Sequence, residues 1–236
     1  MFKKSDYPFK SCNKMPFEID LERLRAEFEQ DVKPKFASYQ SSNVKRVGWE
    51  RYILYAHPSY LSEVEEANPI GFEDLTYVNE IISTYMKDST LVNAMFAVMP
   101  PQASIGLHID GKSKNPELTK KIEATIRFHI PVYTNENMLI FIGEKFYQMK
   151  AGECWMFNNN HYHGVLNTDE KLSRNHLSID VIPSQELIDL LLSMEDPKGF
   201  SDTKNLKLLL DRSAQKKVEE FKGSLPFLKR VKMAMA

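Results

Sequence analysis

Residues 138–167, MLIFIGEKFYQMKAGECWMFNNNHYHGVLN, break into four short apolar runs at 138–142, 145–149, 153–158 and 162–167. Each run is too short for an ordinary helix, and each is parted from the next by Gly143, Gly152 or the triplet Asn158-Asn159-Asn160. Apolar runs of this length bounded by Gly and Asn predict buried β-strands. Similar runs at 91–99, 104–110 and 122–132 precede them, and one at 173–182 follows. Eight short strands in succession predict a mainly β fold with flanking helices, built on a double-stranded β-helix of the jelly-roll, cupin-like kind. That fold has an open mouth between two sheets, where side chains borne on separate strands meet.

The flanks differ in character. Before residue 90, Leu21, Leu24, Phe28 and Val32 recur at helical spacing, as do Leu75, Val78, Ile82 and Tyr85, with a strand expected over 47–55 between them. Beyond Pro183, Ser184 is a helix N-cap ahead of the stripe Leu187, Leu190, Leu191 and Met194. Pro197-Lys198-Gly199 ends that helix, and Leu206, Leu210, Val218 and Phe221 predict another, finishing near Gly223. The expected division is an α/β extension over 1–90 packing on the core, the β-helix core over 91–183, and a C-terminal helical extension over 184–236. The tail lysines, Lys216 to Lys232, read as a solvated face.

With 31 basic and 32 acidic residues the chain has no overall field to draw in nucleic acid or a membrane surface. The polar start and the absence of any run near ~20 apolar residues argue against a signal peptide or a membrane span. Two cysteines, Cys12 and Cys154, give no disulfide framework, and the expectation is a cytoplasmic protein.

Four of the six histidines fall between residues 129 and 176. His108 and Asp110 lie two apart in a segment expected to be extended, which would point an imidazole and a carboxylate to one side. His161 and His163 are both candidates for a third ligand. Two histidines and a carboxylate on one face, with the opposite positions open, suit non-haem Fe(II) and leave room for a bidentate 2-oxo acid and dioxygen. A hydrolytic zinc site and a non-catalytic metal site are the rival readings of the same residues. The arginines favour iron. In 173–182, Leu177, Ile179 and Val181 alternate with Arg174, His176, Ser178 and Asp180, the pattern of a half-buried strand. In 122–132, Ile126, Phe128 and Ile130 alternate with Thr125, Arg127 and His129. A guanidinium facing a cavity calls for an anionic partner, either an internal Asp or Glu or a dicarboxylate cosubstrate.

The order of these motifs resembles the aspartyl/asparaginyl β-hydroxylase family, which includes proline hydroxylases and depends on Fe(II) and 2-oxoglutarate; the likeness covers about residues 91–183. It implies that His108 and His163 are iron ligands, and that His161 is not. It implies that Arg174 grips the far carboxylate of 2-oxoglutarate, and that Arg127 and His129, in Arg-x-His-x-Pro, line the cosubstrate and substrate pocket. Animal peptidyl hydroxylases of the family have glycine where this chain has Asp110, so the chain is more similar to the bacterial amino-acid hydroxylase branch, with a full triad of His108, Asp110 and His163. The resemblance further implies hydroxylation of a free or peptidyl amino acid with O2 as cosubstrate, a lipid or other small molecule being the alternative substrate. The polar loop 111–116 is placed where a lid would sit.

Overall fold

Side-chain alternation along β-strands sorts this sequence into layers. The computed structural model describes residues 6–36, 50–57, 72–110 and 123–217. Among them, ten strands form two antiparallel sheets. The strands are β1 (Cys12–Met15), β2 (Glu50–Ala56), β3 (Thr90–Met99), β4 (Ser104–His108), β5 (Ile126–Tyr133), β6 (Met138–Ile142), β7 (Lys145–Tyr147), β8 (Cys154–Phe157), β9 (His163–Asn167) and β10 (Arg174–Ile182). The large sheet runs β1-β8-β5-β10-β3-β2 and the small one β4-β9-β6-β7. Strands β3 to β10 are therefore dealt between the sheets in the order of a jelly roll, the expected double-stranded β-helix.

Helices pack on the outside. α1 (Leu21–Glu27) passes through a π-helical turn, Phe28–Val32, into α2 (Lys33–Phe36), and α3 (Thr76–Tyr85) and α4 (Gln185–Ser193) join it on the large sheet. Leu24, Phe28, Leu75, Val78, Ile81, Leu187 and Leu191 bury against Ile126, Phe128, Ile130, Leu177, Ile179 and Val181. Each fully buried side chain of this kind stabilises the fold by about 1.5–3 kcal/mol. α5 (Thr203–Lys217) covers the small sheet, with Leu209 against Leu107, Leu139, Phe141 and Leu166. Met99, Met138, Ile140, Trp155, Phe157 and Val165 fill the space between the sheets.

Two polar devices fix the periphery. Leu75 stands at the N-cap of α3 without a capping side chain. The buried carboxylate of Glu27 replaces it, accepting from the backbone N–H of Tyr77 at 2.7 Å and of Val78 at 2.8 Å. The chain between α4 and α5 straps the side of the sandwich. Phe200 bridges to Phe146 of β7, and the Asn13 amide on β1 donates to the Glu195 carbonyl at 3.2 Å. A Cβ on Gly199 would come within 2.7 Å of Lys145 Cβ, so only glycine lets the strap lie this close.

Several expectations are revised. The first strand, β1, was not foreseen, and with β2 it extends the large sheet, so the boundary expected at residue 90 runs through one sheet. β10 is not half-buried: residues 174–181 are buried on both sides, by helices on one and by the inter-sheet space on the other. Ser184 does cap α4, its hydroxyl accepting from Leu187 N–H at 3.3 Å. Cys12 and Cys154 are both free and buried. Among the described residues, no helix is long and apolar enough to cross a membrane. The loop 111–116, the start of the strand expected at 47, Val218, Phe221 and the tail from Lys222 onward lie outside the described residues.

Candidate active site

β4 ends at His108 and β9 begins at His163, and the two are partners across that ladder. Their rings consequently lie 4.0 Å apart, centroid to centroid. Asp110 joins them from beyond the end of β4, not from the strand face that alternation suggested. Its backbone N–H donates to the Asn159 carbonyl at 3.0 Å, which turns the chain back over the site. One oxygen, Oδ1, then stands 3.4 Å from His108 Nε2 and 3.8 Å from His163 Nε2.

This cluster fits a metal. All three donor atoms lie within 4.8 Å of one another. Donors on one face of an octahedron, about 2.1 Å from an ion, stand roughly 3 Å apart, so small rotations close the set. Both imidazoles are aimed from behind: His108 Nδ1 lies 2.7 Å from the Gly106 carbonyl and His163 Nδ1 lies 2.9 Å from the His161 carbonyl. A carbonyl can only accept, so Nδ1 carries a proton in each ring, and Nε2 presents a lone pair when the ring is neutral. Burial pushes the His163 imidazole down to about 3, with His108 reinforcing the effect, and it is neutral at ordinary pH. Burial alone would also lower His108, but the Asp110 carboxylate raises it above the usual imidazole range. For Asp110 burial acts upward, yet the Arg127 guanidinium and the two imidazoles hold it well below the usual carboxylate range.

Arg127 lines the cavity, and its charge is answered from within the protein. Nη1 donates to Asp110 Oδ2 at 2.8 Å, while Nε and Nη2 donate to the two oxygens of Asp180 at 2.6 and 3.0 Å. Asn159 Nδ2 donates to the same Asp110 oxygen at 3.1 Å, so Oδ2 is doubly held and Oδ1 faces the histidines.

Arg174 is in the opposite condition. It is 3% exposed, and among the described residues no carboxylate pairs with it. Nη2 donates to His176 Nδ1 at 2.6 Å, and Nε has no partner. Burial lowers this guanidinium to about 9, so it remains charged at neutral pH. His176 Nε2, His129 Nδ1 and Ser178 Oγ nearby are also buried without partners. Burial, and the cations beside them, keep both histidines well below the usual imidazole range and therefore neutral. Three unsatisfied polar groups around one buried cation, itself with a free Nε, form a pocket suited to an anion.

Triad and anion pocket open into one cavity of about 250 Å³, whose wall is completed by Arg51, Met95, Ala97, Ile105, Ile140, Phe157 and Val165. His161 contributes only its carbonyl to His163. Sequence reasoning did not single out Asn159, which looked like turn filler in an asparagine triplet, or Arg51, on a strand read only as core. Asp180 was placed on the cavity side by alternation but given no role.

A family model of the aspartyl/asparaginyl β-hydroxylases matches residues 18–183, reaching back through α1 well before residue 91. No curated protein matches the chain in sequence. Among solved structures, a non-heme monooxygenase, ThoJ, in its nickel complex is similar at 11% identity and a TM-score of 0.45, over 90% of this chain and 96% of that one. A viral collagen prolyl hydroxylase from Paramecium bursaria Chlorella virus-1 gives 9% identity and 0.46, over 74% and 97%. A Pseudomonas putida prolyl-4-hydroxylase gives 12% and 0.45, over 74% and 93%.

Proposed function

Because this chain belongs to the aspartyl/asparaginyl β-hydroxylase family, we propose that it is an Fe(II)- and 2-oxoglutarate-dependent dioxygenase that hydroxylates an amino acid or an amino-acid residue of a peptide. The observation that carries the cosubstrate is the buried guanidinium of Arg174, without a counter-charge among the described residues, in the same cavity as the His108, Asp110 and His163 cluster. A charge buried without a counter-charge is costly, and it calls for an anionic ligand in the cavity. A dicarboxylate that chelates a metal at one end and meets Arg174 with the other removes that cost.

In this reading His108, Asp110 and His163 hold Fe(II), which with 2-oxoglutarate and O2 supplies the oxidising power to put oxygen into a C–H bond, leaving succinate and carbon dioxide. Arg174 anchors the far carboxylate, with Ser178 and neutral His129 donating beside it. Arg127 lines the pocket as the resemblance implies, and with three of its five N–H groups donating to Asp110 and Asp180 it also positions Asp110. The apolar wall of Ile105, Ile140 and Val165 excludes water from the chelate. The cavity is smaller than the ~300 Å³ at which drug-sized pockets begin, which suits one small side chain or free amino acid beside the cosubstrate.

Anaerobic addition of Fe(II) and 2-oxoglutarate to the metal-free protein tests this. The weak visible charge-transfer band of the chelate is expected, and it should vanish in Asp110→Ala and His163→Ala. Iron binding without the band, or a band that survives both substitutions, would overturn the assignment.

A further inference from the structure

Asn93, Asp180 and Arg127 stand in register across three neighbouring strands, β3, β10 and β5. Asp180 is buried and holds Arg127 through both carboxylate oxygens, with Asn93 Nδ2 3.5 Å from one of them. The third donor of Arg127, Nη1, reaches Asp110 Oδ2. A guanidinium set alone against Asp110 would orient it, but would also compete for its charge with any dication held on the other oxygen. With Asp180 behind it, Arg127 becomes the near end of a neutral pair. It then donates a hydrogen bond of fixed direction and leaves the charge of Asp110 to the metal.

Resting on the reading of the site as an iron centre, we infer that Asp180 is a positioning residue of that centre, acting through Arg127 to aim Asp110 while cancelling the guanidinium charge. Register dictates this arrangement: Asp180 and Arg127 are cross-strand partners, so the pair forms only when β10 and β5 are correctly paired.

The test is anaerobic Fe(II) titration of the full-length metal-free protein by calorimetry, with circular dichroism to confirm folding. Asp180→Asn leaves Arg127 uncompensated and is expected to weaken Fe(II) binding about 10–100-fold, as for other residues that support a ligand. Replacing both partners, in Arg127→Gln with Asp180→Asn, restores neutrality and is expected to recover at least threefold of that loss, a gain that a merely structural pair would not give. Arg127→Lys keeps the charge but lacks the planar fork that spans two carboxylates. It is expected to bind Fe(II) at least tenfold more weakly, which tests the aiming role even if Asp180→Asn fails to fold. Unchanged affinity in a folded Asp180→Asn or in Arg127→Lys, or a double variant no better than the folded single one, would overturn the inference alone. Wild-type protein that binds no Fe(II) would instead overturn the reading on which it rests.

Discussion

Replacing Arg174 by methionine should weaken the cosubstrate and strengthen the empty protein at once. At ~1.4 kcal/mol for each pH unit between the ordinary arginine value and about 9, holding this charge inside costs the fold on the order of 4–5 kcal/mol. A methionine of similar length gives back part of that. Exchanges of buried ionic groups for apolar ones stabilise by about 1–4 kcal/mol, and at roughly 2–4 °C per kcal/mol for a chain of this size the melting temperature should rise visibly. Binding moves the other way. Two charge-assisted hydrogen bonds to a carboxylate are worth about 3–6 kcal/mol together. The 2-oxoglutarate dissociation constant, read from the charge-transfer band, should therefore rise at least ~100-fold while iron is retained. The sign with pH is fixed as well. Because the folded-state value is depressed, the cost is complete below pH 9 and is relieved as pH rises toward the ordinary value. The stability gap between wild type and variant should consequently narrow by about 1.4 kcal/mol at pH 10. A metal-free variant less stable than wild type, or one with an unchanged 2-oxoglutarate requirement, would refute the reasoning.

Because His108 is raised and His163 lowered to about 3, Fe(II) should displace a proton from His108 and none from His163 in mildly acidic solution, and its affinity should climb with pH there. Calorimetry in buffers of different ionisation enthalpy counts that proton, and none released would contradict the assignment. By the same sign, the metal-free fold gains from His108 in acid, below the unfolded imidazole value, and loses that gain as pH rises through the folded one. Glu27→Ala strips two buried N–H groups at the start of α3 of their acceptor and should cost about 2–4 kcal/mol in urea unfolding. Fe(II) affinity should not change, since that cap lies on the outer side of the large sheet, and a stability loss below ~0.5 kcal/mol would show the cap to be idle.

The core strands were legible because period and punctuation agreed: the run expected at 138–142 is β6 to the residue, and Gly143, with positive φ, turns the chain into β7. Alternation also sorted Leu177, Ile179 and Val181 from Arg174, His176 and Asp180. It was silent on what covers each side, so β10 looked half-buried when its polar face is the wall of a cavity. β1 escaped notice because four residues, CNKM, carry no period to read. Asp110 reaches the histidines through a hydrogen bond to Asn159, forty-nine residues away, and no local pattern announces such a contact. For Arg127 and Arg174 the residues themselves permitted either an internal ion pair or a ligand. Asp180 stands opposite Arg127, and among the described residues no carboxylate stands opposite Arg174, a matter of pairing between distant strands.

β10 pairs with both β3 and β5 and carries hydrocarbon on one side and the charged cavity wall on the other. During synthesis, neither the helix-covered core nor the cavity wall can therefore be finished until residue 182 has left the ribosome. Until then two long strands present bare edges, a template for sticking to other chains. A transcript truncated just short of β10 should yield aggregate rather than a weakened enzyme. A selection for solubility would thus police the cavity-lining strand without ever measuring activity.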